Sequence, residues 1–132
     1  MTLRPAQPDD DVQAIQALCP EAAQWNAFES GSCTVAESAA GLLGFIVWRR
    51  TAEDESEILN LAVRPDSRRQ GVATALLREA SGGAGVCFLE VRESNQGAQN
   101  FYKCMGFEAV GVRKGYYTDS TENCIVMKKS SW

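Results

Sequence analysis

Glu90 in "VCFLEVR" (residues 86–92), Tyr102 in "NFYKCM" and the glycine turn "RRQGVA" (residues 68–73) are the places where residue type and spacing could do chemistry. The chain of 132 residues contains no histidine. That absence removes imidazole bases, histidine metal sites and histidine-dependent nucleophile triads together. Proton transfer is left to carboxylate, tyrosine, cysteine, lysine, an amine substrate or water. Cysteines stand at 19, 33, 87, 104 and 124, an odd number with no C-x-x-C pair. They read as reduced, mostly buried thiols, and Cys104 has no base to make it a nucleophile. No metal site is expected.

Each candidate has a structural reading and a chemical one. By strand alternation Glu90 shares a face with Phe88 and Arg92, while Cys87, Leu89 and Val91 take the other. A carboxylate there can pair with Arg92 at the sheet edge. It can also be desolvated enough to serve as a general base. Spacing alone favours the ion pair. Tyr102 falls on the buried face of a helix with Ala98, Phe101 and Met105 at i, i+3, i+4, i+7. It reads either as a core tyrosine or as a proton donor, with a reference pKa near ~10. In the turn, Gly71 opens a helix N-terminus whose first N–H groups lack intrahelical partners, and Arg64, Arg68 and Arg69 add charge. That is a competent diphosphate cradle, although such turns commonly bind nothing. It lacks the G-K-[ST] of a nucleotide-hydrolysing loop. Tyr116 and Tyr117 in "RKGYY" read as hairpin-rim packing, the usual fate of loop aromatics.

The elements that position these residues follow from periodicity. "TLRPA" reads as a strand, and "PDDDVQAIQALC" as a helix with Val12, Ile15, Leu18 and Cys19 apolar. "PEAAQWNAFES" is a weaker helix or a loop. "SCTVAE" and "GLLGFIVWRR" form a hairpin around "SAAG", and "SEILNLAV" pairs antiparallel with the second of these through "TAEDE". A helix begins at Val72, ends in "SGGAG", and is followed by the strand "VCFLEVR". The next helix starts at Ser94 or Asn95 and stops before Gly106, and the strands "FEAVGVRK" and "NCIVMKK" close the chain. The acidic runs Asp9-Asp10-Asp11 and Glu53-Asp54-Glu55 read as a turn and a loop. The order predicts an α/β (α+β) single domain over 1–132, a mixed sheet with helices on its faces. A net charge of −4 argues against a nucleic-acid partner. No apolar run nears the roughly 20 residues of a membrane span, and the N-terminus has no signal-like core, so a cytoplasmic location is expected.

"RRQGVA" fits the [RQ]-x-x-G-x-[GA] signature, and the chain from "LNLAVRPDSRRQGVATALL" through "FLEVRESNQGAQNFYKCMGF" to "VRKGYYTDSTENCIVMKK" resembles the GNAT N-acetyltransferase family. Within it the last two segments look most like the enzymes that acetylate ribosomal-protein alanine. The resemblance implies a mostly antiparallel sheet of about six to seven strands, split into a V between the fourth and fifth. It implies acetyl-CoA as co-substrate and a primary amine as acceptor, most similar to a protein or peptide N-terminus. A lysine side chain, a small amine, or acetyl-CoA binding without turnover are the alternatives. It further implies that Leu61, Ala62 and Val63 meet the pantetheine arm and that Arg68, Arg69, Gln70, Gly71, Val72 and Ala73 hold the pyrophosphate. Asn95 would touch the arm, Tyr102 would protonate the departing thiolate and also border the cofactor, and Glu90 would take the amine proton. Tyr116 and Tyr117 would bind the acceptor. The amine would attack directly, without an acyl-enzyme, in a monomer or homodimer.

Overall fold

The structure, a computed structural model, describes residues 1–19, 32–81, 85–116 and 121–130. The strands are β1 (Thr2–Pro5), β2 (Ser32–Ser38), β3 (Gly41–Ala52), β4 (Glu55–Val63), β5 (Val86–Arg92), β6 (Glu108–Arg113) and β7 (Cys124–Lys129). They form one 7-stranded sheet in the order β1-β2-β3-β4-β5-β7-β6. Neighbours pair antiparallel except β4 and β5, which run parallel. The helices are α1 (Val12–Ala17), α2 (Val72–Ser81) and α3 (Gln96–Cys104), and a single 3-10 turn, Pro65–Ser67, precedes α2. The predicted helix or loop "PEAAQWNAFES" lies outside the described residues, as do residues 82–84 of "SGGAG". Among the described residues no helix is long and apolar enough to cross a membrane.

Two apolar layers hold the helices to the sheet. Val12, Ile15 and Cys19 around α1 pack with Val35, Phe45, Val47 and Ala62 on one face. Leu18, expected to join them, is 49% exposed because it falls after the last turn of α1 and points off its apolar side. On the other face Val72, Leu76, Leu77 and Ala80 of α2 meet Ile46, Ile58, Leu89, Met127, Tyr102 and Phe107. The helix spacing of α2 and the alternation of β5 are both as the sequence predicts: Cys87, Leu89 and Val91 are buried, while Phe88, Glu90 and Arg92 take the opposite face.

β4 departs from simple alternation. Val47 pairs with Asn60 but Trp48 pairs with Ile58, so Leu59 is an extra residue, a β-bulge. The bulge exchanges faces: Ile58 before it, and Leu61 and Val63 after it, all reach the α2 layer, while Leu59 and Ala62 pack toward α1. Gly85 performs a tight entry into β5. It sits at φ +53, and a Cβ there would collide with the Asp54 carbonyl, which accepts from Val86 N–H at 2.7 Å. At the far edge β6 is exposed along its whole length, with a register shift between Ala109 and Gly111 that makes Val110 an extra residue.

The first strand is tied down electrostatically. Arg4 donates to both carboxylate oxygens of Asp10 at 2.8 Å and to Glu37 at 2.9 and 3.2 Å, joining β1, the turn before α1 and β2. The Arg4 hydrogen bonds hold the Asp10 carboxyl down to about 2, and they lower Glu37 as well. A depressed carboxyl stabilises the fold above its unfolded pKa, and that contribution is lost as pH falls through the folded value. Asp10→Asn is therefore expected to lower Tm at neutral pH by a few degrees, with the gap to wild type closing between roughly pH 4 and pH 2. Thermal melts across that range check it, and a gap that is independent of pH contradicts the assignment.

Candidate active site

The site is organised by a gap. Glu55, Ser56, Glu57 and Ile58 pair with Val86, Cys87, Phe88 and Leu89, and the parallel ladder stops there. Bulged Leu59 follows at once, and the end of β4 stays with β3 while β5 continues along β7. This is the V-shaped split expected between the fourth and fifth strands. Arg64 N–H bonds Leu43 C=O at 2.8 Å. Alternation along that ladder turns the peptide groups of Ala62 toward Phe45, and those of Leu61 and Val63 toward the opening. Of the residues the sequence placed at a cofactor arm, Leu61 and Val63 thus present backbone to the split. The backbone of Ala62 is committed to the sheet.

Below the split the chain turns through Arg69 at φ +64 and Gly71 at φ +80 into α2. The Gly71 carbonyl accepts the first helical bond, from Ala75 N–H at 3.0 Å, so the amides of Val72, Ala73 and Thr74 precede any intrahelical acceptor. A Cβ on Gly71 would meet nothing within 4 Å, which leaves open space in front of those donors. Arg69, Gln70 and Gly71 are exposed. Arg68 behaves differently from its sequence expectation: its Nε donates to the Val63 carbonyl at 3.2 Å and a terminal nitrogen reaches Cys19 Sγ at 3.5 Å. Cys19 itself donates to the same carbonyl at 3.4 Å. Arg64 pairs with Asp66 at 3.5 Å.

Glu90 stands on the α1 face of β5, beyond the last β4–β5 pair. Arg92, the partner expected from spacing, pairs with Glu122 at 3.4 Å. Arg113 lies 3.6 Å from Glu90 Oε1, and Cys124 Sγ donates to Oε2 at 3.3 Å. Tyr116 also joins the group. Its hydroxyl pKa is raised first by the facing Glu90 charge, then by burial and by a hydrogen bond to that carboxylate. Arg113 lies over the Tyr116 ring, 5.6 Å from its centroid. Glu90 and Tyr116, far apart in sequence, are therefore neighbours. Tyr117 lies outside the described residues.

Tyr102 is on the other side of the sheet, 9% exposed among the α2-layer residues, with its ring edge-on to Phe101 and Phe107. Burial raises its hydroxyl pKa, so the protonated form is the one that persists. The local sequence holds it by a Schellman ending: Phe107 N–H bonds Tyr102 C=O at 2.9 Å, Gly106 N–H bonds Lys103 C=O at 3.0 Å, and Gly106 sits at φ +98. Lys129 Nζ donates to the Met105 carbonyl at the same helix end. Asn95, not Ser94, is the N-cap of α3, accepting from Ala98 N–H at 3.0 Å, so its side-chain oxygen is spent on the helix.

Arg113, Cys124 and the Cys19–Arg68 pair on Val63 were not singled out by sequence. Their roles depend on strand register, and the signal available was only that Cys124 and Arg113 open and close neighbouring strands. None of the cysteines is in a disulfide; Cys19, Cys87 and Cys124 are buried, Cys33 is half-buried and Cys104 is exposed. Among the described residues no cluster of three or more His, Cys, Asp or Glu could hold a metal ion.

Comparison with known proteins agrees with this layout. The Acetyltransferase (GNAT) domain family matches residues 29–109. The [ribosomal protein bS18]-alanine N-acetyltransferase of Escherichia coli (strain K12) is 40% identical over 81 residues, 56% of this chain and 55% of that protein. The chain thus spans about half the length of the curated relatives it matches. The crystal structure of the ribosomal-protein-S18-alanine N-acetyltransferase from Escherichia coli superposes with TM-score 0.78 at 27% identity, covering 98% of this chain and 93% of that one. Ard1 from Thermoplasma volcanium superposes with TM-score 0.82 at 27% identity, covering 99% and 97%.

The turn can be tested without any ligand. Gly71→Ala places a Cβ at φ +80 in open space, so backbone strain alone sets its cost, about 1–2 kcal/mol. Gly97→Ala, inside α3 with its nearest neighbour at 3.9 Å, should instead stabilise by up to ~1 kcal/mol. Opposite shifts in Tm are expected, and a neutral Gly71→Ala would remove the argument for a left-handed turn.

Proposed function

The chain belongs to the GNAT acetyltransferase family, and we propose that it transfers the acetyl group of acetyl-CoA to the N-terminal α-amine of a protein or peptide. The observation that carries this reading is the split, with Glu90 on one face beside it, Tyr102 on the other, and the N-terminus of α2 headed by Gly71 below. The similarity to enzymes named for alanine N-acetylation supports the choice of acceptor.

Acetyl-CoA supplies an acyl group already activated as a thioester, and the residues present fit it. Leu61 and Val63 offer peptide groups to an extended arm at the split. One N–H aimed at the thioester oxygen is worth on the order of 3 kcal/mol. The amides from Gly71 to Thr74 and the Arg69 charge suit a pyrophosphate, where a helix N-terminus favours negative charge. Asn95, at the start of α3, is proposed to touch the same arm. Arg68 contributes indirectly, by orienting the Val63 peptide.

For the chemistry, Glu90 takes a proton from the α-ammonium, whose reference pKa of roughly 7.7–8.0 asks little of a carboxylate assisted by water. Tyr102 gives its proton to the departing sulfur. Burial keeps that hydroxyl protonated, which is the form a donor needs. Tyr116, beside Glu90, lies where an acceptor's first residue would arrive, and Tyr117 is proposed to act with it.

Thiol release with acetyl-CoA and short peptides beginning Ala, Ser or Gly is the first experiment. Release with none of them, or faster release with free small amines, would sink the proposal. Tyr102→Phe should lower kcat about 10²-fold or more with the KM for acetyl-CoA nearly unchanged. Wild type should show no alkaline decline from Tyr102 below about pH 10, since its pKa moves upward from the ordinary value. Glu90→Gln should lose most activity at low pH, where the acceptor amine is protonated, and an unaltered pH–rate profile would count against Glu90 as the base.

A further inference from the structure

The carboxylate of Glu90 is held by a thiol that the reaction does not consume. β7 pairs antiparallel with β5 so that Val126 stands directly opposite Glu90 and Cys124 opposite Arg92. β6 places Arg113 opposite Cys124 from the other side. Partners across a ladder share a face, so Cys124 lies diagonal to Glu90 on the α1 face, within reach of a short side chain. Its Sγ donates to Glu90 Oε2 at 3.3 Å, and the residue is fully buried.

We propose that Cys124 is a positioning residue for Glu90, fixing the rotation of its carboxyl group by holding Oε2 against β7. The inference rests on the reading of Glu90 as the proton acceptor. Arg113 stands 3.6 Å from Oε1 with a side chain 57% exposed, and the Tyr116 hydroxyl also bonds the carboxylate. Arg113 and the Tyr116 hydroxyl come from the exposed end of β6 and the loop after it, so neither orients the carboxylate rigidly. Cys124 sits in a strand hydrogen-bonded on both sides and cannot move without it. A thiol suits the task because it is a weak, uncharged donor. It restrains the carboxylate without neutralising it, as a fixed cation would.

Packing and positioning separate in three variants. Cys124→Ala removes both volume and donor, Cys124→Val fills the volume without a donor, and Cys124→Ser restores a donor. Positioning predicts that Ala and Val both lower kcat roughly three- to tenfold, the worth of one weak hydrogen bond. The KM for acetyl-CoA should stay unchanged, and Ser should recover most of the loss. Full recovery by Val, or loss with Ser equal to Ala, overturns the proposal. A second measurement needs no turnover: the Cys124 S–H stretching band, isolated as wild type minus Cys124→Ala, should shift when Glu90 is replaced by Gln. An unmoved band overturns the contact itself. A shifted band in a protein that releases no thiol with any peptide would instead overturn the acetyltransfer reading, and with it the base that Cys124 is said to position.

Discussion

Beyond Ile58 the peptide groups along one side of β4 have no parallel partner, although the strand lies in the interior of the sheet. Buried backbone N–H and C=O groups left unmet cost about as much as a lost hydrogen bond, so such an edge persists only if something else satisfies it. The bulge at Leu59 creates it by re-aiming the strand, and the same residue exchanges which side chains face each apolar layer. Part of the edge is satisfied within the chain, because the Val63 carbonyl takes Arg68 and Cys19. Among the described residues the Leu61 peptide groups and the Val63 N–H have no such partner, and they point where an extended ligand could complete the ladder. One added residue in β4 thus sets the opening, the two cores and the demand for a strand-like partner.

The faces of the sheet divide the chemistry. Glu90 is on the side of α1 and Tyr102 on the side of α2 and α3, so in the proposed reaction the gap is the passage through which both would address one reacting centre. Each is anchored by means suited to its side. Tyr102 is locked by apolar burial and by the glycine-ended helix that follows it. Glu90 is set among polar partners drawn from β6, β7 and their connecting loop. Burial favours the neutral phenol at Tyr102, the form that the proposed donor needs.

Much of this was legible in the sequence. Helix period and strand alternation placed Tyr102 and Glu90 on the correct faces, and Gly71 and Gly106 marked a helix start and a helix end. Element order also carried the sheet. What periodicity could not carry was register. Glu90 was read against Arg92, its neighbour two residues along, whereas its partners arrive from β6 and β7 through pairings that no single strand announces. Arg68 was read as a charge beside the glycine turn, and the sequence does not reveal that its Nε also bonds the Val63 carbonyl. Leu18 was read as core because the apolar period continues past the point where α1 ends.

β6 raises a different matter. It is the last strand of the sheet, exposed on both sides, with Val110 and Val112 more than half open to water. An extended apolar border of that kind invites other chains to add themselves as further strands. Here the border is spoiled as a template: the extra residue at Val110 breaks its spacing, Gly111 weakens it, and Glu108 and Arg113 charge its two ends. The sheet therefore has an open border inside, where pairing is wanted, and a blunted one outside, where it would lead to aggregation.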